Sequence, residues 1–125
     1  MERTNNGINV AKAKLAKQLL VKNLANIRST TEWANYCNCS RTQLYRLILN
    51  FYGITPGEMM SKVRFDSITE ILKKDPDTTS NYVAIKVGLR NEQGIYRFLS
   101  HRYNTNYTKL REQIYREILS EKHIE

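Results

Sequence analysis

Thr42, Tyr45 and Arg46 stand at i, i+3 and i+4, with Arg41 beside them, so a helix over this stretch would gather all four toward one side. Their chemistry is that of reading a polar surface. A guanidinium can donate bidentately to guanine O6 and N7, a threonine methyl can meet a thymine methyl, and a tyrosine hydroxyl can donate to phosphate. Fifty-one residues later Glu92, Gln93 and Arg97 repeat the positions of Arg41, Thr42 and Arg46. Glutamine pairs with adenine N6/N7, and a glutamate accepts from cytosine N4 but is repelled by phosphate. Arg41, Thr42, Tyr45 and Arg46 are expected on the exposed face of their helix. Arg41, Lys62, Arg90 and Arg102 are expected at the nucleic-acid backbone, where contacts position without specifying.

Catalytic chemistry has little to stand on. The two histidines, His101 and His123, have no cysteine, serine motif or carboxylate pair at working distance in the sequence, and no glycine-rich phosphate loop occurs. Cys37 and Cys39 are one residue apart, which strains a disulfide, and they lack two further ligands at zinc spacing. Cys37 is expected in packing, with Cys39 incidental. The chain is therefore expected not to be an enzyme, with no cofactor and no metal.

Ser40 is a good N-cap, and Leu44, Leu47 and Ile48 put apolar side chains on the opposite face of a helix running to Tyr52. Gly53 suits the left-handed position past its end, and Pro56 suits the first turn of the next helix. Ahead of it, Ser29 and Glu32 have capping-box spacing and open a short helix to about Cys37, with Trp33, Ala34 and Cys37 inward. Asn38 and Cys39 supply the tight turn. Short helix, turn, and helix with an exposed polar face is a helix-turn-helix pattern.

The pattern returns at a constant offset of 51: Asn91 matches Ser40, Tyr103 matches Tyr52, and Asn104, a second-best residue for a left-handed cap, matches Gly53. A short helix of about 79–87, ended by Gly88, precedes this second copy. Between the copies a long helix of 56–74 is expected, stopped by Asp75-Pro76. Its nineteen residues would span about 28 Å, near the ~34 Å between successive major-groove faces on one side of B-DNA. A first helix over about 8–27 has Ile8, Leu15, Leu19, Leu24 and Ile27 as its apolar stripe and four lysines with no acid. It could lie on an anionic membrane or pack with its lysines outward, and the lack of tryptophan and phenylalanine anchors favours packing. A last helix over about 108–120 closes the chain. The expected class is all-α: two helix-turn-helix lobes joined by a long connector helix, about seven helices in all. The expected division is a flexible tail 1–7, a first lobe 8–55, the connector 56–75, a second lobe 76–120 and a tail 121–125. Trp33, Phe51, Tyr52, Phe65, Phe98 and Tyr103 are assigned to the core, and Arg64 to an internal bond or ion pair.

Composition fits this. A net charge of +8 over 125 residues matches the electrostatic footprint of a nucleic-acid binder, with solubility charge as the plain alternative. No run approaches the roughly 20 apolar residues of a membrane span. With no apolar signal region at the N-terminus, a cytoplasmic, membrane-free protein is expected.

The motifs Ser40-x-x-x-Leu44-x-Arg46-Leu47-Ile48, Tyr52-Gly53-Ile54-Thr55-Pro56, Val63-Arg64-Phe65, Val83-Ala84-Ile85-x-x-Gly88-Leu89 and Ile95-x-Arg97-x-Leu99 with Tyr103 resemble the DNA-binding domain of the AraC/XylS family of bacterial transcription regulators. The resemblance covers about 8–115. It implies two recognition helices presented to adjacent major-groove segments of double-stranded DNA, with Thr42, Tyr45, Arg46, Glu92, Gln93 and Arg97 at the base-facing positions, by a monomer of the short, single-domain subtype on an asymmetric site. Leu89 departs from the family's phenylalanine, Asn104 and Tyr107 from its glycine and proline, and Ser80 from an apolar residue. Gly94 falls at a base-facing position without a side chain and costs a helix about 1 kcal/mol relative to alanine. Two other readings stay open: a helical interaction adaptor touching RNA polymerase or another regulator, and a non-specific DNA-binding protein.

Overall fold

The computed structural model describes residues 2–124, with side chains for 7–121. Its helices are α1 (Glu2–Lys22), a short 3-10 turn (Leu24–Asn26), α2 (Thr30–Tyr36), α3 (Arg41–Tyr52), α4 (Pro56–Lys74), α5 (Ser80–Lys86), α6 (Glu92–Tyr103) and α7 (Tyr107–Ile124). Among the described residues there is no strand, and no helix is long and apolar enough to cross a membrane. Two compact units divide the chain, Met1–Val63 and Arg64–Glu125, so the division falls inside α4 rather than on either side of it.

Local chemistry sets most of these boundaries. Ser29, Ser40, Thr55, Thr79, Asn91 and Asn106 each accept, through the side chain, from the backbone N–H three residues on, at 2.9–3.3 Å. Each such cap stabilises its helix by about 1 kcal/mol. Around α3 the box is complete, since the Ser40 N–H also donates to Gln43 Oε1 at 2.8 Å. The Glu32 carboxylate reaches one residue further back, to the N–H of Arg28 at 3.2 Å. Gly53 and Asn104 end α3 and α6 in the left-handed region at φ 72° and 50°.

The first unit is built around Trp33, which is wholly buried and donates through Nε1 to the Ala16 carbonyl at 2.8 Å. That bond explains why α1 turns a different face inward from the one expected. Ala13, Ala16 and Leu20 are buried, whereas Ile8 and Leu15 are half or more exposed, with Val21 likewise. The small side chain of Ala16 lets the indole reach the backbone there; Leu20 is buried along with it, and Ile8, Leu15 and Val21 are left outside. The helix also begins at Glu2, where a tail was expected, and ends at Lys22 instead of Ile27. Asn5, Asn6 and Gly7 weaken a helix by at most about 1 kcal/mol each and do not forbid one. At its other end the Asn23 side chain donates to the Leu19 carbonyl, and Ile27 is extended. Leu44 and Ile48 of α3, with Met59, Met60 and Val63 of α4, complete this core.

The second unit buries Ile68, Leu72, Val83, Ile95, Leu99 and Ile114. Phe65 stacks on Tyr103 at 4.0 Å, and Phe98 tilts against the same ring at 5.6 Å. Of the six aromatics assigned to the core, Trp33 and Phe98 are buried and the others half-buried. Arg64 is buried too, at 8% exposure, and its Nε donates to the carbonyl of Val87 at 3.1 Å. It thus secures the end of α5 just before the turn into α6. On the far side α7 holds the loop after α4. The Thr78 carbonyl accepts from Tyr107 Oη and Arg111 Nη2, and Asp77 Oδ1 accepts from Tyr115 Oη at 2.6 Å. α7 runs on through Ile124, past the 120 expected of it.

The internal repeat has one irregularity. Before the turn the offset is 50: Trp33 and Ala34 match Val83 and Ala84, and the bond from the Cys39 N–H to the Ala34 carbonyl matches that from Leu89 to Ala84. After the turn it is 51. Arg90 is the extra residue, and it sits at φ 64°, a left-handed conformation that costs a side-chain-bearing residue about 1–2 kcal/mol.

Candidate nucleic-acid interface

In α3 the buried stripe of Leu44 and Ile48 leaves Arg41, Thr42, Tyr45 and Arg46 exposed on the other side. Together with Thr30 and the start of α4 at Thr55–Gly57, these four line an open groove of about 620 Å³. No carboxylate lines it. Its polar complement is two guanidiniums, the tyrosine hydroxyl and the hydroxyls of Thr30 and Thr42, which offer donors to an anionic partner; the third threonine, Thr55, donates to the Glu58 carboxylate at 3.0 Å.

In α6 the buried residues are Ile95, Phe98 and Leu99, and Glu92, Gln93 and Arg97 are exposed. These three share a surface depression with Tyr96. The groove corresponding to that of the first unit is present, at about 690 Å³, between α5, α6 and the start of α7. Its charges differ. Glu92 and Glu112 line it together with Lys109 and Arg111, so its formal charges balance. Arg111 there stacks its guanidinium over Tyr107 at 4.9 Å, and its Nε is buried without a hydrogen-bond partner.

Of the residues expected at the backbone, Arg41 lines the first groove. Lys62 on α4, Arg90 in the turn and Arg102 in the last turn of α6 are exposed but lie outside both grooves. Two features escaped the sequence reading. Tyr96 is 61% exposed at the position that Tyr45, 47% exposed, holds in α3; the 51-residue offset could have found it. Asn9 and Lys12 of α1 flank α3, beside Arg46 and Asn50; only the fold places them there. Cys37, at the end of α2, has its thiol pushed up to about 11 by burial, with the Cys39 sulfur adding to it. Burial raises Cys39 as well, opposed by the charge of Lys12. Neither thiol is activated at neutral pH.

Comparison with family models, with curated proteins and with solved structures finds no match to this chain.

Proposed function

We propose that this protein is a sequence-specific, double-stranded DNA-binding transcription regulator of the AraC/XylS type, acting as a cytoplasmic monomer on an asymmetric site. The observation that carries this reading is the repeated surface. Arg46 and Arg97 hold the same position on two capped helices, each helix has its apolar stripe buried, and each has its polar stripe open. An α-helix fits the B-DNA major groove, and an exposed arginine there pairs with guanine at ~1–3 kcal/mol of discrimination. The acid-free groove beside α3 and the +8 charge supply the phosphate attraction that must accompany base reading.

Selecting binding sites from random duplex and footprinting the winner tests this. Enrichment of one sequence, with protection over two adjacent major-groove segments, is the expected result; no enrichment refutes it. The carboxylates of Glu92 and Glu112 favour a second reading for the Arg64–Glu125 unit alone, that of an adaptor surface for a protein such as RNA polymerase. Protection of one groove segment only would support that division of labour.

A further inference from the structure

Gly7, Ile8, Val10, Ala11 and Lys12 of α1 are exposed, Asn9 is half-buried, and the first buried side chain among the described residues is Ala13. Residues 7–12 add no fully buried side chain to the core. Yet they run beside α3, where Asn9 and Lys12 line a cleft with Gln43, Arg46 and Asn50, and Cys39, Leu47 and Phe51 complete its lining. This cleft lies on the flank of α3 away from the groove that holds Arg41 and Thr30; Arg46 borders both.

We propose that this cleft is a DNA-backbone site. Lys12, with the amides of Asn9 and Asn50, takes the phosphates of the strand opposite to the one met by Arg41. The inference rests on the DNA-reading function proposed above and extends it to a segment outside the helix-turn-helix. Its physical basis is a matter of widths. An α-helix with its side chains is about 10–12 Å across and the major groove about 12 Å wide, so a helix that enters it brings both flanks to the two sugar-phosphate walls. One flank of α3 carries Arg41, Thr30 and the start of α4. The other would be bare if α1 ended where its packing ends. Instead it carries an ammonium and carboxamides, and no carboxylate lines it. Lys12 also lies near enough to the turn to act electrostatically on Cys39, which places its charge beside the start of α3.

The test compares Lys12→Ala with Lys22→Ala, an exposed residue at the other end of the same helix that removes the same charge. Affinity for the selected duplex and for a scrambled one is measured across a salt series. Lys12→Ala should weaken both by the same factor and make the slope of log K against log salt shallower by about 0.9, one phosphate contact. The ratio between the two duplexes should be unchanged, and Lys12→Arg should restore the slope. If Lys12→Ala and Lys22→Ala have equal slopes and affinities, the second-wall site is overturned while the DNA-reading function stands. If the unaltered protein itself prefers no duplex, that function falls, and this inference with it.

Discussion

A β-carbon placed on Gly94 would lie 2.0 Å from the carbonyl oxygen of Leu89. That oxygen also accepts from the N–H of Asn91, at 2.7 Å. In the first unit the matching N–H, of Ser40, is satisfied by the side chain of Gln43. Gln43 and Gly94 are the same position in the repeat. The extra residue Arg90 swings the Leu89 carbonyl into the space a side chain would need, and the carbonyl replaces that side chain as acceptor. The glycine is therefore a steric requirement of the longer turn and no flaw in α6.

Gly94→Ala tests this relationship. Helix propensity alone would make the change favourable by about 1 kcal/mol. The clash with a backbone atom should instead cost about 1–3 kcal/mol in chemical denaturation. Gly94→Gln combined with deletion of Arg90 should be better tolerated than Gly94→Gln alone, because it rebuilds the box seen at Ser40. A stabilised Gly94→Ala protein would contradict the account.

Much of the fold was legible because it rests on local chemistry. The bounds of α4, the caps Ser29, Ser40 and Asn91, and the left-handed residues Gly53 and Asn104 follow from side chains that act within four residues of themselves. What depends on filling space was not. The inward face of α1 was set by Trp33, seventeen residues beyond Ala16, and periodicity alone favoured the larger Leu15. In the candidate site, the outward stripes of α3 and α6 follow from where Leu44, Ile48, Ile95 and Leu99 stand. The different character of the two grooves does not, because it also needs Glu112, Lys109 and Arg111 brought over from α7.

Glu92 occupies the place of Arg41 and is one of two carboxylates lining the second groove. Glu92→Gln removes a charge that repels phosphate, and affinity for scrambled duplex should rise. If Glu92 accepts from a cytosine amino group, the selected duplex loses about 1–3 kcal/mol of discrimination at one base pair. Binding assays over single-base variants of the selected site would show both effects. An equal gain on every duplex would remove Glu92 from base reading.

Cys37 gives a pH-dependent signature. Its folded-state value of about 11 stands above the ordinary 9.0, so the folded protein holds the thiol proton more tightly than the unfolded chain. This contribution to stability is fully present below about pH 9 and is lost as pH rises from 9 toward 11. At pH 8 the thiolate population of Cys37 should be smaller folded than unfolded, and alkylation correspondingly slower. Mass-spectrometric rates with iodoacetamide, with and without denaturant, check it. Equal rates in the two states would place the thiol in open solvent.

Base reading by Arg46 from an exposed helix face is measured by the affinity ratio between selected and scrambled duplex, for the unaltered protein and for Arg46→Ala. The unaltered protein should show a ratio of at least ~10³. Arg46→Ala should lose about 1–3 kcal/mol of discrimination, with the helical circular-dichroism spectrum unchanged. An unaltered protein that binds both duplexes equally at every salt concentration, or an Arg46→Ala protein that keeps the full ratio, would contradict base reading by Arg46.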